Sequence, residues 1–179
     1  MRLTNQPRMK FSDRAKKAMR LAGREAQNRG NKKINTLHLL WAILTMPKSQ
    51  ACIVLVTLGF NPAVLRRKLE QRLSLRNQKN KKTPEIIFRK NASCEKALEA
   101  AENFAKENNC KLVSTCCLLL GILRDEENLA SKFLKEHRIR FDCVSNKIKR
   151  LKNLGQLPEE KSFLVRVLDV IRKLANRKL

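Results

Sequence analysis

The residues Ala15, Ala18, Met19, Ala22 and Ala26 recur at i, i+3, i+4, i+7 and i+11, so an α-helix lines them up as one apolar stripe. Ser12 stands where that helix needs an N-cap, and Gly30 where it can end. Small alanines on the stripe let another helix approach closely. Thr36 is placed to cap a second, short helix running to about Thr45 and stopped by Pro47. That segment is apolar on nearly all sides, which puts it at the centre of its unit. A third helix is expected from about Ser49 to Leu58, ended by Gly59. Asn61 and Pro62 then supply an N-cap and a favoured first-turn proline for a fourth. Its Val64, Leu65, Leu69 and Leu73 face inward, with Arg66, Arg67, Lys68 and Arg72 outward.

A shift of 79 residues lays the second half of the chain on the first. Ala18, Ala22 and Ala26 fall on Ala97, Ala101 and Ala105; Ile34, Thr36, Leu39, Leu40, Ile43 and Leu44 fall on Val113, Thr115, Leu118, Leu119, Ile122 and Leu123. Ala51 and Leu55 match Ala130 and Leu134. So many coincidences at one offset mark a duplicated unit. The second copy predicts helices at about Asn91–Asn108, Thr115–Leu123, Asn128–Glu136 and Asp142–Asn153, with Asn128 and Asp142 as caps. The expected organisation is a tail (1–10), a first repeat (11–74), a basic linker (75–87), a second repeat (88–155) and a basic amphipathic helix (156–179). Phe163, Leu164, Val167, Leu168, Ile171 and Leu174 form the apolar face of that last helix. The fold class is all-α: two pseudo-symmetric four-helix repeats plus a C-terminal helix.

Composition supports this outline and adds a field. Hydrophobic residues make up 42% of the 179, enough to bury a core, and five Gly, five Pro and no Tyr leave little for turns and sheet. Forty basic against sixteen acidic residues give a net charge of +24, which must attract polyanions or acidic proteins. Most of the excess lies in the first half: residues 1–74 hold 16 Lys/Arg and 3 Asp/Glu, residues 88–155 hold 14 and 9. The first ten residues contain no apolar run, and no apolar stretch is long enough to cross a bilayer. The six cysteines are therefore expected as free, mostly buried thiols in a reducing, cytoplasm-like compartment.

The pattern resembles the Clp N-terminal domain (Clp repeat) family. It is carried in the first copy by FSDRAKKAMRLAGREA (Phe11–Ala26) and INTLHLLWAIL (Ile34–Leu44). In the second it is carried by KALEAAENFAKENN (Lys96–Asn109) and VSTCCLLLGILRDEENLASKFL (Val113–Leu134). The resemblance covers about residues 9–155 and implies two four-helix units packed about a pseudo-two-fold, binding adaptors or substrates for Clp ATPases. It marks Thr36, Leu37, Thr115 and Cys116 as protein-binding positions. Leu37 and Cys116 stand where relatives that recognise phosphoarginine carry acids, and neither forms a charge-assisted bond to a guanidinium, so that recognition is not carried over. The family histidine stays as His38 and becomes Cys117. No G-x-x-x-x-G-K-[ST] phosphate cradle occurs in these residues, so they hold no ATPase module.

Nothing else in the sequence forms a catalytic or metal-binding pattern. Cys110, Cys116 and Cys117 lack partners at ligand spacing, and neither His38 nor His137 is fixed as a base, so the cysteines read as structural and no cofactor is implied. A basic docking surface is expected from Arg66, Arg67, Lys68 and Arg72 with Lys79, Lys81 and Lys82. The function expected is a non-catalytic module recruiting Clp subunits, adaptors or substrates. The alternative is a basic helical protein that binds nucleic acid non-specifically through phosphates. One Trp and no Tyr give poor base-stacking platforms for that alternative.

Overall fold

The computed structural model describes residues 9–76 and 89–161, so most of the linker expected at 75–87 and positions 162–179 of the helix expected at 156–179 lie outside them, while positions 156–161 of that expected helix are not helical. Eight helices occur among the described residues. The first four are α1 (Asp13–Asn28), α2 (Thr36–Leu44), α3 (Gln50–Thr57) and α4 (Pro62–Arg76). The second four are α5 (Ala92–Glu107), α6 (Thr115–Arg124), α7 (Leu129–Glu136) and α8 (Phe141–Asn153). No described helix is long and apolar enough to cross a membrane.

Local chemistry accounts for most boundaries. Ser12 caps α1 through its hydroxyl, which accepts from the Ala15 amide at 3.1 Å. Ser49, Asn91 and Asn128 cap α3, α5 and α7 in the same way. Gly30 and Gly59 follow α1 and α3 in the left-handed region, at φ 67° and 87°. Four expectations about caps and burial are corrected. The cap of α2 is Asn35, not Thr36, and that of α6 is Ser114, each one residue earlier than the sequence suggested. Helix α8 starts at Phe141 with no side-chain cap, and Asp142 lies inside its first turn. Val64 on α4 is 49% exposed, whereas Leu65, Leu69 and Leu73 are buried as expected.

The two central helices are the core. All residues of α2 except Trp41, and all of α6 except Arg124, are buried. Each is covered by its own alanine-striped helix, α1 or α5, whose stripe alanines are at most 1% exposed. The copies also exchange backbone. Phe11 bridges to Val113 and Lys90 to Ile34, two short parallel pairings related by the 79-residue offset. Ser12 N donates to Val113 O at 2.9 Å, and Asn91 N to Ile34 O at 2.9 Å. The lead-in of each repeat is thus tied to the loop before the other repeat's central helix.

Crossing distance differs between the copies. A Cβ added to Gly121 on α6 would stand 2.1 Å from the Ala97 carbonyl oxygen and 2.9 Å from Ala101 Cβ. The equivalent position on α2 is Ala42, which is fully buried. The α5–α6 pair therefore packs backbone against backbone where the α1–α2 pair accommodates a methyl group. Gly121→Ala is expected to lower unfolding free energy by about 2–3 kcal/mol through overpacking. Urea denaturation checks this, and a change under about 0.5 kcal/mol would contradict the close approach.

Candidate functional site at the seam between the repeats

Thr36 and Thr115 are the first residues of the two buried central helices, and each hydroxyl crosses to the other repeat. Thr36 Oγ1 accepts from the Ala130 amide of α7 at 3.4 Å. Thr115 Oγ1 accepts from the Ala51 amide of α3 at 3.2 Å. These are the same bond seen twice, related by the duplication. Each threonine satisfies a first-turn amide of the partner repeat's third helix, beside that helix's own cap, Ser49 or Asn128. Leu37 and Cys116, one position further on, are 1% and 2% exposed. All four sequence-predicted binding positions are thus buried below the surface.

Among the described residues the symmetry is broken by one carboxylate that the sequence reading did not single out. After α8 the chain turns at Gly155 (φ 64°), anchors Leu157 in the core and lays Glu160 into the seam. Glu160 is 6% exposed. It accepts from Ser12 Oγ, the Gln50 amide and the Thr115 amide, each at 2.9 Å, and from Thr115 Oγ1 at 2.5 Å. Ser12 is the cap of α1, Gln50 the first residue of α3 and Thr115 the first residue of α6. Three helix N-termini from both repeats therefore converge on one anion, where orphan amides and helix dipoles favour negative charge. Two further bonds fasten this strap. Gln50 Nε2 donates to Pro158 O at 2.7 Å, and Asp13 N to Lys161 O at 3.4 Å. The only signal in the sequence was an isolated Pro158-Glu159-Glu160 within an otherwise basic terminus.

Beside the strap runs an open groove lined by Asp13, Arg14, Lys17, Arg20, Lys48 and Ser49, among others. Four cations against one carboxylate give it a strongly positive field. Arg14, Lys17 and Arg20 were legible as the polar side of α1, but Lys48 joins them only through the fold. The anticipated strip on α4 is less uniform than its sequence suggests. Arg67 and Lys68 are exposed. Arg66 pairs with Glu70 at 3.4 Å, and Glu70 also accepts from Trp41 Nε1 at 2.9 Å. Arg72 reaches across to Glu136 on α7 at 2.5 Å and lies over the Phe133 ring. Lys79, Lys81 and Lys82 lie outside the described residues.

His38 is a packing residue. Its Nδ1 accepts from the Asn35 amide at 3.2 Å while Asn35 Oδ1 accepts from the His38 amide at 3.1 Å, a reciprocal capping box. Burial, helped by Arg29, lowers its pKa to about 4, so the ring is neutral at physiological pH. Burial likewise pushes the Cys116 thiol well up, and the Glu160 charge adds to that shift. The six cysteines are free, with Cys52, Cys94, Cys116 and Cys117 buried. No cluster of three or more metal-ligating side chains occurs among the described residues.

Comparison with known proteins places this arrangement. Residues 10–137 match the model of the Clp repeat (R) N-terminal domain. The chaperone ClpB of Oceanobacillus iheyensis is 24% identical over 142 residues, covering 79% of this chain; the chain spans only 17% of that relative's length. The Hsp104 N-terminal domain of Candida albicans superposes with a TM-score of 0.66 at 18% identity, over 86% of this chain and 96% of that one. The N-domain of ClpV in complex with a VipB peptide superposes with a TM-score of 0.58 at 15% identity, over 80% and 97%.

The seam makes a direct prediction. Glu160→Ala leaves the Gln50 and Thr115 amides and the Ser12 hydroxyl without their partner, and is expected to cost about 3 kcal/mol of stability. Thermal or urea unfolding measures the loss, which should exceed that of Glu159→Ala, an exposed neighbour, several-fold. Equal small losses for both variants would show that the strap contributes nothing to the seam.

Proposed function

The chain belongs to the Clp repeat (R) N-terminal domain family, and from that premise we propose that it is a non-catalytic module that recruits protein partners to Clp chaperone-proteases as an accessory or adaptor. The observation that carries this reading is the family match over residues 10–137, together with the superposition on the N-terminal domain of Hsp104 and the N-domain of ClpV. That one such domain is described in complex with a peptide supports protein binding as the shared activity. The 17% share of ClpB covered by the match keeps the ATPase activity of that relative out of the proposal.

The proposed docking face is the basic groove of Arg14, Lys17, Arg20 and Lys48, with Arg67 and Lys68 on α4 as a second positive patch. Its partner is an acidic protein segment, because exposed guanidinium and ammonium groups recognise carboxylates at low desolvation cost. Thr36, Leu37, Thr115 and Cys116 serve binding by fixing the relative position of the helices that carry these faces. As buried groups they do not themselves touch a partner in this arrangement. The division into repeats at 11–74 and 88–155 fits this role, since each copy supplies one wall of the seam.

Retention of Clp ATPase or protease subunits from extract, at moderate salt, tests the reading. The wild-type protein should retain a Clp subunit, and Arg14→Glu/Lys17→Glu/Arg20→Glu should reduce that at least about fivefold, the loss of one or more charge-assisted contacts. Salt-dependent binding of DNA or RNA with no Clp subunit retained would overturn it in favour of phosphate-directed nucleic-acid binding.

A further inference from the structure

Two cysteines and a lysine lie where the turn after α5, the first turn of α6 and the end of α8 come together. Cys110 lies in the turn after α5, where Asn109 takes a positive φ of 49° and the Cys110 amide bonds back to Ala105 O at 2.8 Å. Cys117 is the third residue of α6 and is buried, with its sulfur 3.4 Å from Ser114 Oγ. Lys152, from α8 and exposed to solvent, donates to Cys110 Sγ at 3.0 Å. Cys110 is half-buried, so it is both partnered and reachable.

The duplication shows that the fold itself creates this meeting. Positions 31 and 38 of the first repeat correspond to 110 and 117, and there Asn31 Nδ2 lies 3.4 Å from His38 Nε2. Where the first copy holds this amide–imidazole contact the second carries two thiols, and beside them an ammonium that has no counterpart, since Leu73 occupies the position equivalent to Lys152.

We propose that Cys110 and Cys117 form a peroxide-sensitive thiol pair, with Cys110 as the attacking thiolate, Cys117 as the resolving thiol and Lys152 as the positioning cation. The chemistry balances with a hydroperoxide as the oxidant. The Cys110 thiolate attacks the peroxide oxygen and the O–O bond breaks, giving a sulfenic acid and, after protonation, an alcohol or water. The Cys117 sulfur then attacks the sulfenic sulfur, an S–S bond forms, and the hydroxyl departs with the Cys117 proton as water. Both thiols are thereby oxidised by two electrons in total, and the peroxide is reduced.

The electrostatics support these roles. The hydrogen bond from Cys117 and the adjacent Lys152 hold the Cys110 thiol down at about 5, against the effect of its partial burial. The bond to Cys110 and burial push Cys117 far up, so it keeps the proton that it donates to the thiolate. Thiolates beside an ammonium are the nucleophilic state of cysteine, and a protonated neighbour within reach is what resolves a sulfenic acid. The closing disulfide would tie the turn before α6 to its first helical turn, two residues from the Thr115 groups that hold Glu160.

Alkylation and peroxide titration of the reduced full chain test this, with exposed Cys143 as internal reference. At pH 6, Cys110 should react with iodoacetamide about tenfold faster than Cys143, the net of a larger thiolate fraction and a less basic nucleophile. Lys152→Gln, a surface change, should slow Cys110 several-fold and leave Cys143 unchanged. With hydrogen peroxide, peptide mapping should find a Cys110–Cys117 disulfide; Cys117→Ser should leave a Cys110 sulfenic acid that dimedone traps. Cys110 slower than Cys143 at pH 6, or peroxide-treated wild-type protein without the 110–117 linkage, would overturn the proposal.

Discussion

Two helices apolar on nearly every side lie buried together, and the amides at the N-termini around them have little water to turn to. A buried backbone donor without a partner costs about 1–3 kcal/mol, so such ends must be satisfied from within. Here the satisfaction is mutual. Thr36 and Thr115 open the central helices, and each satisfies a first-turn amide of the opposite repeat's third helix. The parallel bridges of Phe11 with Val113 and Lys90 with Ile34 tie the lead-ins across in the same way. Neither repeat completes its own hydrogen bonding, and the pseudo-two-fold arrangement follows from that interdependence.

Glu160 then makes the seam asymmetric among the described residues. Three N-termini converge on it, whereas no described carboxylate bonds to Asn91, Leu129 or Thr36, the counterparts of Ser12, Gln50 and Thr115. Cys116 lies within reach of the Glu160 charge, which adds to burial in keeping its thiol neutral. The seam of this chain is occupied by its own carboxylate and stays positive outside, along the groove of Arg14, Lys17, Arg20 and Lys48. A binding module built this way presents fixed charge on rigid helices, with the polar machinery that fixes it kept inside.

The helices and the duplication were legible in the sequence because they rest on local chemistry: the alanine stripes, Ser12, Ser49, Asn61, Asn91 and Asn128 as caps, and glycines with positive φ after α1 and α3. Thr36 and Thr115 were placed at the right point and given the wrong partner, because a threonine at a helix start reads as a cap for its own helix. Its bond to a residue 94 or 64 positions away has no local signature. Glu160, Lys48 beside Arg14, and Lys152 beside Cys110 were invisible for the same reason: each meeting depends on where α8 or a loop returns in space. Arg72 and Arg66 were read as free cations, and both are engaged by acids that only the fold brings near or orients.

If the two repeats complete one another, their central helices must open together. Native-state hydrogen exchange across Leu39–Ile43 of α2 and Leu118–Ile122 of α6 measures this directly. The slowest amides of both helices should exchange through one global opening, with equal free energies and equal denaturant dependence. Exchange of one helix through an opening more than about 1 kcal/mol smaller than that of the other would contradict the account, since each repeat would then be stable without its partner's bonds.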